Sequence, residues 1–203
     1  MHHIETVVAY WHTIRPPLGI PTRDDIEPAR LFGSLSHMFI TERRGTDIVF
    51  RVAGTSLCQA FGLDLTGVPL LGIWNVPDAR RVASILDTQH SAAEPALLAS
   101  EFSSVRRRRG ELLVAALPFY DRTGERAMLG AIVATPSLPE GLDRIASVKL
   151  TTERRAPASA TGVPDPVRHE LETLARRRGD GRANPFAARD LREMGGIPIQ
   201  PVR

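Results

Sequence analysis

Two apolar runs joined by a short polar connection constrain the fold of this chain more than any other feature. The runs are ELLVAALPFY (111–120) and AMLGAIVATP (127–136), and DRTGER lies between them. Short apolar runs bounded by turn residues are typical of strands, and a connection of this length suits a hairpin. Another strand is predicted over about 100–107, with RRRRG (106–110) as its loop. The last third of the folded part is therefore predicted to be β.

The first hundred residues predict a mixture of helices and strands. A helix over 4–15 is indicated by apolar residues at helical spacing, and prolines at 16, 17 and 21 end it. RDDIEPARLFGSL predicts a short helical stretch. Strands are expected over about 36–41 and 47–54, with a turn at Arg44-Gly45, and helices over about 56–62 and 77–99. This order of elements predicts an α+β fold.

The chain changes character after residue 137. TTERRAPASATGVPDP is rich in Pro, Ala and Thr and has no periodicity, which is typical of a linker. The residues that follow contain few apolar side chains. We therefore predict one domain over 1–137, and a linker followed by an Arg/Pro-rich, largely disordered tail over 138–203.

The charge distribution argues against a strongly basic protein. The formal net charge is +3, and residues 1–150 contain equal numbers of acidic and basic groups, so the tail carries the excess. Lys149 is the only lysine, and this bias is consistent with GC-rich codons. The arginines at 106–109 have no stacking aromatic nearby and are expected to form a solvated tip. These observations argue against nucleic-acid binding, and the Arg-rich tail leaves it as an alternative.

The cysteine and histidine content excludes several kinds of site. Cys58 is the only cysteine, so the chain can form no internal disulfide and no thiolate zinc site. No two histidines have metal-binding spacing on one helix, and a lone His37 before a strand is expected to be hydrogen-bonded. The first residues lack a secretory signal, and no run reaches the ~18 apolar residues of a membrane helix. We expect a cytoplasmic protein with no metal and no membrane contact.

The stretch FRVAGTSLCQAFGLDLTGVPL (50–70) predicts a strand that turns directly into a helix. It has no second glycine close to Gly54 and no lysine after it, as a phosphate-binding loop would need, and Ser56 is not placed between glycines as in a catalytic elbow. Gly54 allows the turn and Thr55 can cap the helix. Cys58 lies among apolar residues, so we expect it in the core and not as a reactive thiol. The stretch is interpreted as the wall of a pocket.

Several of these stretches together resemble one known family. They are YWHTIRPP with Trp11 and Arg15, RDDIEP, FRVAGT, FGLDLTG, the pair Ile73-Trp74 and the late Leu-Pro of ELLVAALPF. The combination, over about residues 5–137, is similar to the PAS-domain family numbered five in domain catalogues, found mainly in alphaproteobacteria. Two departures are Glu27, where the family has Asp, and SLSH before the first strand. The second departure puts only a local turn in doubt.

The resemblance implies a PAS-like fold, in which a five-stranded antiparallel sheet has helices packed on one face. It also implies a central cavity between sheet and helices. The residues expected around an apolar ligand pocket are Val52, Thr55, Cys58, Phe61, Trp74, Val114, Leu117 and Leu129. Cys58 is not in the motif of flavin photosensors and no histidine matches a heme ligand, so any cofactor is unknown.

The function implied by the resemblance is regulatory and not catalytic. We expect a stand-alone sensory protein of bacterial signalling that acts by protein–protein interaction and that a small apolar ligand can gate. Its partner would be a signalling protein such as a sensor kinase or regulator, or a second copy. Val7, Trp11 and Ile14 are the expected interface if the first helix dimerises. The alternatives are a nucleic-acid-binding regulator that uses the tail and a small α+β enzyme.

Overall fold

An antiparallel sheet of six strands forms the centre of the molecule. The computed structural model describes residues 2–17, 19–139 and 141–155. The strands lie in the order β2-β1-β5-β4-β3-β6. Their bounds are β1 Met38–Arg44, β2 Asp47–Ala53, β3 Ala96–Ser104, β4 Arg109–Tyr120, β5 Arg126–Thr135 and β6 Ile145–Arg155. The two hairpins predicted around Gly45 and DRTGER are therefore present, as β1–β2 and β4–β5.

The described residues also form three α-helices and three 3₁₀ segments. The α-helices are α1 His2–Ile14, α2 Thr55–Phe61 and α3 Val76–Ala92. The 3₁₀ segments are Arg23–Asp25, Pro28–His37 and Leu70–Ile73. The side chain of Asn75 accepts a hydrogen bond from the backbone N–H of Asp78 and so caps the start of α3.

The third helix is shorter than the predicted range of 77–99. It ends at Ala92, Ala93 is left-handed with φ 56°, and β3 begins at Ala96. Pro95 gives the physical reason, because the residue before a proline is disfavoured in helical conformation. Leu97 and Leu98, assigned to the helix from their apolar character, therefore belong to a strand.

The sheet extends beyond the domain boundary expected at residue 137. Strand β6 pairs antiparallel with β3 from Ala96↔Arg155 to Ser104↔Ile145. The start of the expected linker, from Thr151 to Arg155, is part of this strand. The linker-like composition from Thr151 onward gave no signal for it, and the apolar–polar alternation before that point is short, so pairing with β3 determines the length of the strand. The rest of the predicted tail lies outside the described residues.

A buried carboxylate fastens β6 to a helix. Asp78 of α3 accepts a hydrogen bond from the backbone N–H of Leu150 at 3.0 Å, and another from the Asn75 side chain at 3.0 Å. The pairing of β3 with β6 shifts register between Ala99 and Ser100 next to this point. A buried backbone N–H needs such a partner, so Asp78 stabilises the irregular stretch of the edge strand.

Apolar residues cover both faces of the sheet. Because successive side chains of a strand point to opposite faces, Val114 and Ala116 of β4 lie in one cluster while Ala115 and Leu117 lie in the other. The first cluster packs under α2 and α3, and the second under α1. The predicted α+β fold with a PAS-like antiparallel sheet is confirmed. It has one more strand than expected, and α1 covers the opposite face from the other helices.

Candidate functional site

The eight residues predicted to line a pocket do not surround one cavity. Phe61, Trp74 and Val114 are buried in the cluster under α2 and α3, and Cys58 packs against it. Leu117 and Leu129 are buried on the other face, under α1. Val114 and Leu117 are three residues apart in one strand, and an odd separation places two side chains on opposite faces. The predicted set therefore combines two separate cores.

Two of the predicted pocket residues are at the surface. Val52 is 52% exposed on β2, and Thr55 is exposed at the start of α2. Both belong to the strand-to-helix passage that the sequence assigned to a pocket wall. The passage has this shape, but its side chains at 52 and 55 face outward.

Most residues of the predicted dimer interface pack inside the molecule. Val7 and Trp11 are fully buried between α1 and the sheet, whereas Ile14 is partly exposed. Side chains that already fill the core of one molecule offer no surface to a second copy. In this structure the apolar stripe of α1 is an intramolecular docking surface.

A groove lies between α2 and the end of β5, and we call it the α2–β5 groove. Its volume is about 470 Å³, within the range of small-molecule sites. Six lining residues are apolar: Leu57, Ala60, Ile132, Ala134, Leu138 and Pro139. Four are polar: His37, Ser56, Gln59 and Ser137. The lining contains no Asp, Glu, Lys or Arg, so the groove suits an uncharged, mainly apolar molecule.

The strand-to-helix passage positions one wall of the α2–β5 groove. Gly54 ends β2 and donates its N–H to the carbonyl of Met38 at 2.8 Å. A side chain at residue 54 would collide with the carbonyl oxygens of Leu35 and Ser36. Glycine therefore lets the start of α2 lie directly against the 3₁₀ segment that ends at His37. This close approach brings Ser56 and His37 to the same groove.

His37 is the one ionisable group of the groove. Its ring stacks on His3 with centroids 4.0 Å apart, and its Nδ1 lies 3.0 Å from the hydroxyl oxygen of Ser36. Partial burial lowers the pKa of His37 below its usual value. Near neutral pH the imidazole is therefore uncharged, and it can offer a hydrogen bond to a ligand without adding a positive charge.

The groove residues were missed because they alternate with those that the sequence singled out. Besides the exposed Thr55, the predicted residues on α2 are Cys58 and Phe61, whereas Leu57 and Ala60 are the apolar residues of α2 that line the groove. Each pair has the three-residue spacing of one helix face, so spacing alone could not choose between them. The position of β5 makes the choice, since Ile132 and Ala134 form the opposite wall.

The polar groups of two predicted pocket residues have partners elsewhere. Trp74 donates its indole N–H to the hydroxyl oxygen of Ser100 at 3.0 Å inside the core. The thiol of Cys58 lies 4.0 Å from the carbonyl oxygen of Ala53. Both residues therefore have structural environments, as expected for a core cysteine and a buried tryptophan.

Two other features are absent from the described parts of the chain. In those parts no cluster of three or more His, Cys, Asp or Glu side chains could hold a metal ion. Nor does any helix between residues 2 and 155 have the length and apolar character needed to cross a bilayer. The Arg-rich tail, on which the nucleic-acid alternative depends, falls outside the described residues.

The chain matches the model of a known protein family. The model of a family described as PAS domain matches residues 1–133, about two thirds of the chain. No protein with a curated description matches the sequence. The family match confirms the resemblance found in the motifs, and it ends close to the end of β5.

Proposed function

Since the chain belongs to the PAS domain family, whose members are generally sensory or regulatory, we propose that it is a regulatory protein gated by a small apolar ligand. Its output would be a contact with another signalling protein, and it would catalyse no reaction. The observation that carries this proposal is the α2–β5 groove, which is lined by six apolar and four polar residues and by no Asp, Glu, Lys or Arg.

The groove and an exposed apolar surface share one segment of the chain. The 3₁₀ segment Pro28–His37 ends at the groove residue His37, and it also contains Phe32, which is 82% exposed, and the partly exposed Leu35. In a 3₁₀ helix, residues three apart lie on the same side. Phe32 and Leu35 therefore form an apolar surface. A ligand in the groove would act on this surface indirectly, by contacting His37 at the end of the same segment. We propose this surface as the contact with the partner protein.

Ligand binding is tested with 1-decanol, a flexible uncharged molecule with one hydroxyl group. We expect it to raise the melting temperature of the full chain in a concentration-dependent way, because it binds only the folded state. Ala60→Phe places a ring in the groove and should remove the rise. Ala83→Phe, on α3 and similarly half-buried, is the matched control and should keep it.

Coupling to the output surface is tested by hydrogen exchange with and without 1-decanol. We expect a change in amide protection within residues 28–37 of the wild type and none in Ala60→Phe. If the wild-type melting temperature does not respond to 1-decanol, and native mass spectrometry of the purified chain shows no bound small molecule, the ligand-gated function is wrong.

A further inference from the structure

Two turns at one end of the sheet form a basic tip, made of residues 105–109 and 141–144. The first turn joins β3 to β4 and contains Arg106, Arg107 and Arg108, with Arg109 beginning β4. The second turn precedes β6 and contributes Arg144. The backbone N–H of Val105 donates to the carbonyl of Arg144 at 2.9 Å, so the two turns lie side by side.

Asp143 holds the two turns of the tip together, but it balances only a small part of the positive charge of the tip. Its buried carboxylate accepts hydrogen bonds from the Ser104 hydroxyl at 2.7 Å and from the backbone N–H of Arg106 at 3.1 Å and of Arg144 at 2.9 Å. The only side-chain ion pair within the tip, among the described residues, joins Arg108 to Asp143 at 3.7 Å. Four other guanidinium groups stay exposed at this end of the sheet.

Exposed aliphatic side chains lie among these charges. Val105 is 56% exposed and Leu142 is 61% exposed, one in each turn. Leu63, also exposed, follows Gly62, and a Cβ added at Gly62 would meet the Arg144 side chain. Arginines that surround projecting aliphatic residues match the chemistry of a surface that is anionic on the outside and apolar beneath.

From this arrangement we infer that the basic tip is a peripheral docking site for an anionic lipid surface. A membrane of this kind attracts clustered Lys and Arg without needing a shaped partner surface. The tip has nine residues, whereas a stable protein interface takes about 20–30 residues on each side. The described tip has no aromatic residue on which nucleic-acid bases could stack. This proposal departs from the expectation of no membrane contact, which rested only on the lack of an apolar run long enough to span a bilayer.

The test measures binding of the full chain to vesicles by co-sedimentation. One set contains phosphatidylcholine alone, and the other contains one third phosphatidylglycerol. We expect binding to the anionic vesicles only, weakened by added salt because ionic screening reduces the attraction. The tip variant Arg106→Gln/Arg107→Asn/Arg109→Gln should bind roughly a hundredfold more weakly, since each arginine contributes a severalfold factor.

A charge-matched control distinguishes binding by the tip from a general electrostatic attraction between the protein and the anionic vesicles. Arg43→Gln/Arg51→Gln/Arg122→Gln removes three exposed arginines from other parts of the surface and should keep the affinity within a few-fold. Leu142→Ser should weaken vesicle binding severalfold and leave the melting temperature unchanged, because the side chain is exposed in solution.

Three outcomes would contradict the proposal that the tip is a docking site. The first is no binding to anionic vesicles, and the second is equal loss in the tip and control variants. The third is an unchanged affinity in the tip variant, which would assign binding to another region such as the tail. A parallel titration with random-sequence DNA is included, and a tip variant that loses DNA affinity but keeps vesicle affinity would identify a nucleic-acid partner instead. Circular dichroism confirms that all variants are folded.

Discussion

The indole Nε1 of Trp11 donates a hydrogen bond to the carbonyl oxygen of Pro118, 2.8 Å away and 107 residues later in the chain. Proline has no N–H, and its carbonyl here is paired by a side chain from another element. The ring of Trp11 is fully buried between α1 and the sheet. One side chain therefore supplies both the largest apolar contact of α1 and its polar link to β4.

Trp11→Ala should destabilise the protein by roughly 3–5 kcal/mol, the usual cost of truncating a large buried aromatic. Urea unfolding followed by circular dichroism measures the change. Phe32→Ala is the control, since a side chain that is 82% exposed should change the stability by no more than about 0.5 kcal/mol. A melting temperature of the wild type that rises with protein concentration would show instead that α1 docks between copies.

A second prediction concerns Gly130 of β5, where groups from the neighbouring strands pack closely against the backbone. A side chain there would collide with the carbonyl oxygen of Ala115 and with the ring of Phe39. Both obstacles belong to the packed sheet and cannot move away freely. Gly130→Ala should therefore destabilise the fold by roughly 1–3 kcal/mol or more.

Gly33 is the matched control for Gly130. Nothing lies within 4 Å of the position that its Cβ would take, and its backbone angle is not in the left-handed region. Gly33→Ala should be neutral or stabilising by up to about 1 kcal/mol, because alanine restricts the unfolded chain. Equal destabilisation by both substitutions would mean that close packing at Gly130 is not the cause. Thermal melts of the two variants measure the comparison.

The strands and helices with strong local signals could be predicted from the sequence. The apolar stripe of α1, the β4–β5 hairpin and the turn after Gly54 each depend on residues close together in the chain. Strand β6 could not be predicted in this way, because its stability comes from pairing with β3, about fifty residues earlier, and from Asp78. Local sequence patterns do not report contacts between residues so far apart in the chain.

The candidate site was harder to predict for a related reason. Whether Leu57 or Cys58 lines a groove depends on how α2 is rotated over β5, which no local pattern of α2 reports. The separation of Val114 from Leu117 was, however, readable from the sequence. Two residues three apart in a predicted strand belong to different faces, and this rule would have divided the predicted pocket correctly.

The role of β6 gives a prediction about truncation. A chain that ends at Arg155 keeps every described element, and we expect it to melt cooperatively within a few degrees of the full chain. A chain that ends at Leu138 loses β6 together with its buried Val148 and Leu150, and it leaves one edge of β3 unpaired. We expect it to be strongly destabilised and prone to aggregation. Equal melting temperatures of the two truncated chains would contradict a structural role for β6.

The last prediction concerns His90, near the end of α3. The side chain is only 4% exposed, its Nε2 has no hydrogen-bond partner, and its ring meets Tyr120 edge to face with centroids 5.5 Å apart. Burial lowers the pKa of His90 below its usual value of 6.5, and the charge of Arg126 lowers it further. Hydrogen bonding to the backbone and the charge of Asp87 oppose this change only in part.

A lowered pKa in the folded state means that the unfolded chain takes up the His90 proton first as pH falls. The stabilisation from a neutral His90 should therefore be complete above pH 6.5 and be lost as pH falls from there through the lower folded pKa. The free energy of unfolding should decrease over this interval with a slope of up to about 1.4 kcal/mol per pH unit from this residue. His90→Asn cannot titrate, so its urea-unfolding free energy, measured between pH 8 and pH 5, should fall less steeply than that of the wild type. Parallel curves for the two proteins would show that the pKa of His90 is the same in the folded and unfolded states.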